Sequence, residues 1–140
     1  FKPLINARLE TIDEKVSFKK LIKLKRCVAV ADGFYEWKRV EKEKTPYYFL
    51  REDKKLIYIA GIYEEDQFCM ITEEASLNVT EIHHRQPVIL NESDVNKYLN
   101  IEISGSDYLN HFQKSKLSFY EISKDVNKPT NNNISLIQPL

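Results

Sequence analysis

Apolar positions change period along this chain, and the changes outline its elements. Between Ile12 and Lys25 they fall at Val16, Leu21, Ile22 and Leu24, an imperfect stripe of helical period. Thr11 and Glu14 stand at the spacing of a capping box, so a helix is predicted over residues 12 to 25. From residue 26 to 72 the pattern turns to strands. Cys27 to Ala31 is a short apolar run. Phe34 to Arg39 alternates, with Phe34, Glu36 and Lys38 on one face and Tyr35 and Trp37 on the other. The charged stretch 40 to 45 reads as a turn. Pro46 to Leu50 and Leu56 to Tyr63 read as a hairpin joined by Arg51 to Lys55, and Phe68 to Ile71 as a further buried strand.

Beyond Thr72 the elements shorten. A helix is predicted from Thr72 to Val79, a strand at Pro87 to Leu90, helices at Asn91 to Leu99 and Ser106 to Gln113, and a last strand at Leu117 to Ile122. The Asn-rich tail from Lys128, with Pro129 and Pro139, reads as an irregular loop. Strands that follow one another without intervening helices argue against a doubly wound parallel sheet. The pattern favours instead a curved or barrel-like sheet with short helices, in one domain spanning residues 1–140.

Composition narrows the picture. The chain has 140 residues, 42% hydrophobic and 30% charged, as in a globular domain. It contains no apolar run long enough to span a bilayer, and its charged first 25 residues do not read as a secretory signal. Formal net charge is zero, which weighs against nucleic-acid binding through overall charge but leaves room for a local basic patch. The lysines at 15, 19, 20, 23 and 25 form such a face, read first as solvated surface and second as a phosphate-facing patch. Cys27 and Cys69 sit in apolar runs and read as reduced core thiols. No Cys-x-x-Cys or His-x-x-x-His spacing suggests a metal. The chain opens on Phe1 rather than Met, and is expected to be a fragment or a processed product.

Several polar residues carry possible chemistry. Glu36 stands among aromatics, where the charged form of a carboxyl is disfavoured and proton transfer is favoured; by spacing alone it equally fits a surface strand. His83 and His84 precede Arg85 at a junction, and in an extended chain only one of the two histidines can enter a site. Asn6 and Arg8 share a face of an extended segment. Arg8 could grip a phosphate or carboxylate in bidentate fashion, or pair with a surface acid such as Glu10.

Taken in order, the motifs form a series: Ile5-Asn6-Ala7-Arg8-x-Glu10-Thr11, Arg26-Cys27, Asp32-Gly33-Phe34-Tyr35-Glu36-Trp37-Lys38, Pro46-Tyr47-x-Phe49, Ala60-Gly61-Ile62-Tyr63-Glu64, Ile71-Thr72-x-x-Ala75, Ile82-His83-x-Arg85-x-Pro87, and Val126-Asn127 before the Asn-rich tail. Over nearly the whole chain this series resembles the SOS-response-associated peptidase (SRAP) family of abasic-site-shielding proteins. The resemblance implies an α+β fold built on a twisted, mostly antiparallel, barrel-like sheet with short flanking helices, a groove for single-stranded DNA containing abasic sites, no cofactor, and a cytoplasmic or, in a bacterium, nucleoid-associated setting. It also implies a reaction. A cysteine at the mature N-terminus, exposed by a proposed self-cleavage, forms a Schiff base with the abasic-site aldehyde through its α-amine, and its thiol then closes a thiazolidine. Proximity favours the second, intramolecular capture.

Carried over by position, the resemblance implies that Asn6 positions the amine or linkage and that Glu36 is the acid/base for sugar opening and imine formation. His83 assists proton transfer at the sugar oxygen, and Arg8 and Arg85 hold flanking phosphates. His84 falls at the variable position and is not carried over. The family's nucleophilic cysteine has no counterpart here, so the domain is expected to lack its first segment and to be inactive alone. Val30 replaces a usual proline, expected to loosen a turn, and Gln86 replaces a usual methionine, expected to place a polar group near the histidine.

Two other readings compete. One is a non-catalytic single-stranded-DNA-binding module. The other is a cysteine hydrolase built on Cys27, His83 and Glu36. A missing segment also predicts an uncovered strand edge, a partner chain over it, or an apolar patch near Trp37 and Tyr63.

Overall fold

In the computed structural model the described residues are 5–140, so the reading of Phe1 as an interrupted start lies outside them. Nine strands and three helices occur among the described residues. The strands are β1 (Asn6–Arg8), β2 (Arg26–Ala31), β3 (Phe34–Val40), β4 (Glu43–Arg51), β5 (Ile57–Glu64), β6 (Gln67–Glu74), β7 (Arg85–Pro87), β8 (Ile89–Leu90) and β9 (Leu117–Glu121). The helices are α1 (Val16–Leu24), α2 (Glu92–Leu99) and α3 (Gly105–His111). One sheet runs β1-β6-β5-β2, with β7 added to β6 and β8 to β5; the other runs β3-β4-β9. All pairings are antiparallel except β1 with β6. The fold is therefore α+β, with two sheets that do not close on each other.

Strand β5 explains the layering. Its sequence is apolar at nearly every position because both faces are covered. Ala60 and Ile62 face a cluster with Ile22 of α1, Tyr98 of α2 and Leu109 of α3. Ile57 and Ile59 face Phe49 and Leu117 of the small sheet, joined by Val79, Ile82 and Ile89. The large sheet is thus the middle of three layers, between the helices and the small sheet. Buried Tyr98 donates to the Gly61 carbonyl at 2.7 Å. Arg26 reaches the Ile103 carbonyl at 2.8 Å and lies over the Tyr98 ring. Its side chain fills the space beside Gly105, where an added Cβ would come within 2.2 Å of Nη1.

Several elements differ from the sequence expectation. The first helix begins at Val16 rather than residue 12. The Thr11 carbonyl instead takes the amides of Glu14 and Lys15, because Ile12 is fully buried and holds the preceding chain in a 3-10 turn (Leu9–Thr11). The charged stretch 40 to 45 is mostly strand. Only Glu41 and Lys42 turn, with Glu41 at φ 56°. Pro46 to Leu50 and Leu56 to Tyr63 do not form a hairpin: β4 pairs with β3 and β9, whereas β5 belongs to the other sheet. Thr72 to Glu74 extends β6 to meet β7 instead of starting a helix; a 3-10 turn follows at Val79–Glu81. The third helix starts at Gly105, capped by Ser104. Val30 lies inside β2 opposite Tyr58 and loosens no turn. The tail is ordered by 3-10 turns at Lys124–Asn127 and Ile134–Ile137, capped by Ser123 and Asn133. Tyr63 and Phe68, opposite one another on β5 and β6, are both exposed. No helix among the described residues is long and apolar enough to cross a membrane.

Candidate active site

Glu36 and His83 come from different layers and meet at the seam between them. On the inner face of β3, Phe34 stacks on Phe49, with ring centroids 5.0 Å apart, inside the inter-sheet core. Glu36 follows two residues later on the same face, where that core reaches its rim. His83 is delivered from the other side. Val79 and Ile82, both buried in the same core, pin the 3-10 turn, and the His83 amide bonds back to the Val79 carbonyl at 3.0 Å. The result places His83 Nε2 3.7 Å from Glu36 Oε1, with both side chains about one quarter exposed. They line an open hollow of about 420 Å³ together with Trp37, Arg39, Lys44 and Asn127.

Nearby backbone groups contact both side chains. Trp37 stands opposite Pro46, whose carbonyl is taken by the Ile122 amide just after β9; the Trp37 amide turns instead to Glu36 Oε1 at 3.4 Å. His83 Nδ1 lies 3.2 Å from the Arg85 amide and 3.1 Å from the Arg85 carbonyl. A neutral ring protonated at Nε2 accepts from that amide; a cationic ring donates to that carbonyl. The backbone of Arg85 therefore accommodates either protonation state while Nε2–H keeps facing Glu36. His84 stacks on His83, with centroids 4.7 Å apart, so the two rings do not diverge as in an extended chain; the segment bends here. His84 lines an adjoining hollow of about 460 Å³ with Thr80, Glu81 and Arg39.

The remaining expected residues lie one strand away. Asn6 and Arg8 share the exposed face of β1, and neither lines the Glu36 hollow. Arg8 stands opposite Thr72, and among the described residues it has no ion-pair partner. Glu10, the acid considered for Arg8, pairs instead with Arg85. Nη1 and Nη2 of Arg85 donate to the two Glu10 oxygens at 2.9 and 2.8 Å, and Nη2 also reaches Thr72 Oγ1 at 3.0 Å. The bidentate Arg85 guanidinium holds the Glu10 carboxyl down to about 2. Glu10, the Glu74 amide and Thr72 so fix the start of β7, and with it His83. Arg85, expected at a phosphate, is here paired with Glu10. Gln86, expected near the histidine, is buried elsewhere: its side-chain carbonyl accepts from the Ser76 amide at 2.9 Å.

Cys27 does not line the Glu36 hollow, and burial pushes its thiol up, so the hydrolase arrangement is not assembled. Among the described residues no group of three or more His, Cys, Asp or Glu is placed to hold a metal ion. The residues that sequence reasoning did not single out are Arg39 and Lys44; Glu10 figures in it only as a partner of Arg8. Alternation along β3 already puts Arg39 on the Trp37 face; nothing local marks Lys44.

Residues 1–129 match the family model described as SOS response associated peptidase (SRAP). The chain is 36% identical to the abasic site processing protein YoqW of Bacillus subtilis, over 96% of this chain and 66% of that protein. It is 30% identical to the abasic site processing protein YedK of Escherichia coli, over 99% of this chain and 68% of that protein. A crystal structure of a protein from Bacteroides thetaiotaomicron superposes with a TM-score of 0.82 at 30% identity, covering 96% of this chain and 65% of that one. The chain thus spans just under two thirds of YoqW.

Proposed function

The chain belongs to the SOS response associated peptidase (SRAP) family, and from that premise we propose that it is the DNA-binding and proton-handling part of an abasic-site processing protein. The observation that carries this reading is the facing of Glu36 and His83 at 3.7 Å across an open hollow. A contact that long is not a hydrogen bond, so an acid and a base both remain free to bond a sugar oxygen seated over them in the hollow. The substrate is the deoxyribose of an abasic site in single-stranded DNA. Glu36 gives a proton to the ring oxygen as the sugar opens to its aldehyde, and His83 holds and returns protons at that oxygen. Arg8 takes a flanking phosphate and Asn6 positions the attacking amine from the same face of β1. Arg85 acts as the tether of His83.

The aldehyde is captured by a cysteine that carries a free α-amine. The amine adds to C1′, water leaves as the imine forms, and the thiol adds across the C=N bond while its proton passes to nitrogen. Neither Cys27 nor Cys69 can perform both steps, since an internal residue has no α-amine. The test is incubation with single-stranded DNA bearing an aldehydic abasic site, followed by a denaturing gel. The native gene product is expected to give a stable shifted band, and the 140-residue polypeptide beginning at Phe1 none. A band from the latter would put the nucleophile among these residues and overturn the assignment.

A further inference from the structure

The hollow at Glu36 wraps around a sheet edge, and its two sides differ in charge. β3 is the terminal strand of the small sheet, so both of its faces open at the same edge. Glu36 and His83 occupy the inner side. On the outer side, Trp37 and Arg39 follow the alternation, and Lys44 stands directly opposite Arg39 on β4. Glu43, the acid beside Lys44, is turned to Lys124 at 3.5 Å. Among the described residues neither Arg39 nor Lys44 has a carboxylate partner.

A third group comes from the tail. The 3-10 turn Lys124–Asn127 is held over the outer face of the small sheet. Tyr120 Oη donates to the Ile137 carbonyl, the Leu140 amide bonds to the Glu121 carbonyl at 3.2 Å, and Asn131 Nδ2 to the Asp125 carbonyl at 2.8 Å. This arrangement brings Asn127 Oδ1 to 2.7 Å from the Trp37 indole nitrogen. An indole N–H only donates, so the amide atom facing it must be the oxygen. The orientation of Asn127 is thereby set: its oxygen is occupied, and its two N–H donors are left for the hollow that it lines.

We infer that Arg39, Lys44 and the Asn127 amide form a phosphodiester subsite on the Trp37 side of β3, which seats a backbone phosphate of the single-stranded DNA whose sugar lies at Glu36 and His83. The inference rests on the function proposed above and adds residues to it. Two unpartnered cations and a fixed amide donor suit an anion with several acceptor oxygens. The acid stays on the opposite side of the strand, so sugar and phosphate would straddle the edge. Asn127 makes the subsite depend on the tail: it sets no charge itself but aims a donor where the two cations converge.

The test is fluorescence anisotropy of the chain with a single-stranded oligonucleotide carrying a tetrahydrofuran abasic analogue, which has no aldehyde, across a series of salt concentrations. Arg39→Gln and Lys44→Gln are each expected to weaken binding roughly three- to tenfold and to lower the salt slope by about 0.7. Asn127→Asp keeps an oxygen for Trp37 but removes the donors and adds a negative charge; it is expected to weaken binding at least as much, with the Trp37 indole N–H resonance remaining in its hydrogen-bonded position. Binding unchanged in these variants but weakened in Arg8→Gln would overturn the subsite and leave the proposed function standing. No binding by the unaltered chain at low salt would overturn both. Should Asn127→Asp fold poorly, the two cation variants still decide.

Discussion

Two carboxylates of this molecule meet basic side chains from the same short segment, and they do so differently. Glu10 closes on Arg85 with two hydrogen bonds of 2.8 and 2.9 Å. Glu36 stops 3.7 Å short of His83, two residues earlier in the chain. The first pair is satisfied: its geometry is bidentate, Thr72 and the Glu74 amide complete it, and its carboxyl is held far below the ordinary range. The second makes no direct hydrogen bond between its members and opens on a hollow. The difference teaches how the site is made. One pair locks the strand that carries His83, so that the other can remain open without the histidine wandering.

The comparison can be broken at either pair. The largest effect is expected from Glu36→Gln in the native gene product, which should slow covalent capture of abasic DNA by on the order of 10²-fold or more. Its unfolding free energy should stay within about 0.5 kcal/mol of the parent. Single-turnover gels and urea unfolding measure the two quantities. Glu10→Gln should do the reverse. It leaves the nearly buried Arg85 fork without its acid, and should cost about 1–2 kcal/mol in urea unfolding, tempered because the Glu10 side chain is partly in water. Were Glu10→Gln to leave stability intact while Glu36→Gln unfolded the chain, the locked and open roles would be exchanged.

Acid sharpens the same contrast. The folded Glu10 value of about 2 lies below its ordinary 4.5. The stabilisation it gives is therefore complete above pH 4.5 and is lost as the pH falls toward 2. Unfolding measured through that window should show a loss in the parent chain that is absent from Glu10→Gln; matching curves would sever the Glu10–Arg85 link. The smallest effect is expected at His84. His84→Ala removes a stacked ring but no hydrogen bond seen in the structure, and should change stability by no more than about 0.5 kcal/mol. Capture should remain within about threefold of the parent.

Much of this was legible in the residues themselves. Alternation in β3 correctly separated Glu36 from Trp37, and the ordered motifs led to the family. The Thr11–Glu14 spacing misled because burial of Ile12 outweighs a local cap: a core anchor fixed the chain before the helix could start. The mispaired hairpin has a different cause. Arg51 to Leu56 looks like a reversal and is one, with Asp53 bonded to Arg51 and to the Lys55 amide. The turn, however, carries the chain from one sheet to the other, and local chemistry says nothing about which edge receives the next strand. For the same reason the Glu10–Arg85 pair, 75 residues apart, left no signal in spacing.

An exposed strand edge with aromatic neighbours invites pairing with another copy of itself. At β3 the Trp37 amide, which would be the natural docking point for a foreign strand, is covered by the Glu36 carboxylate, while Lys38, Arg39 and the tail turn flank it. The proposed seating of DNA at that edge and its protection against aggregation thus fall to the same few side chains. Variants that neutralise them should be judged by light scattering at high concentration as well as by DNA binding, because a lost guard would show itself first as self-association.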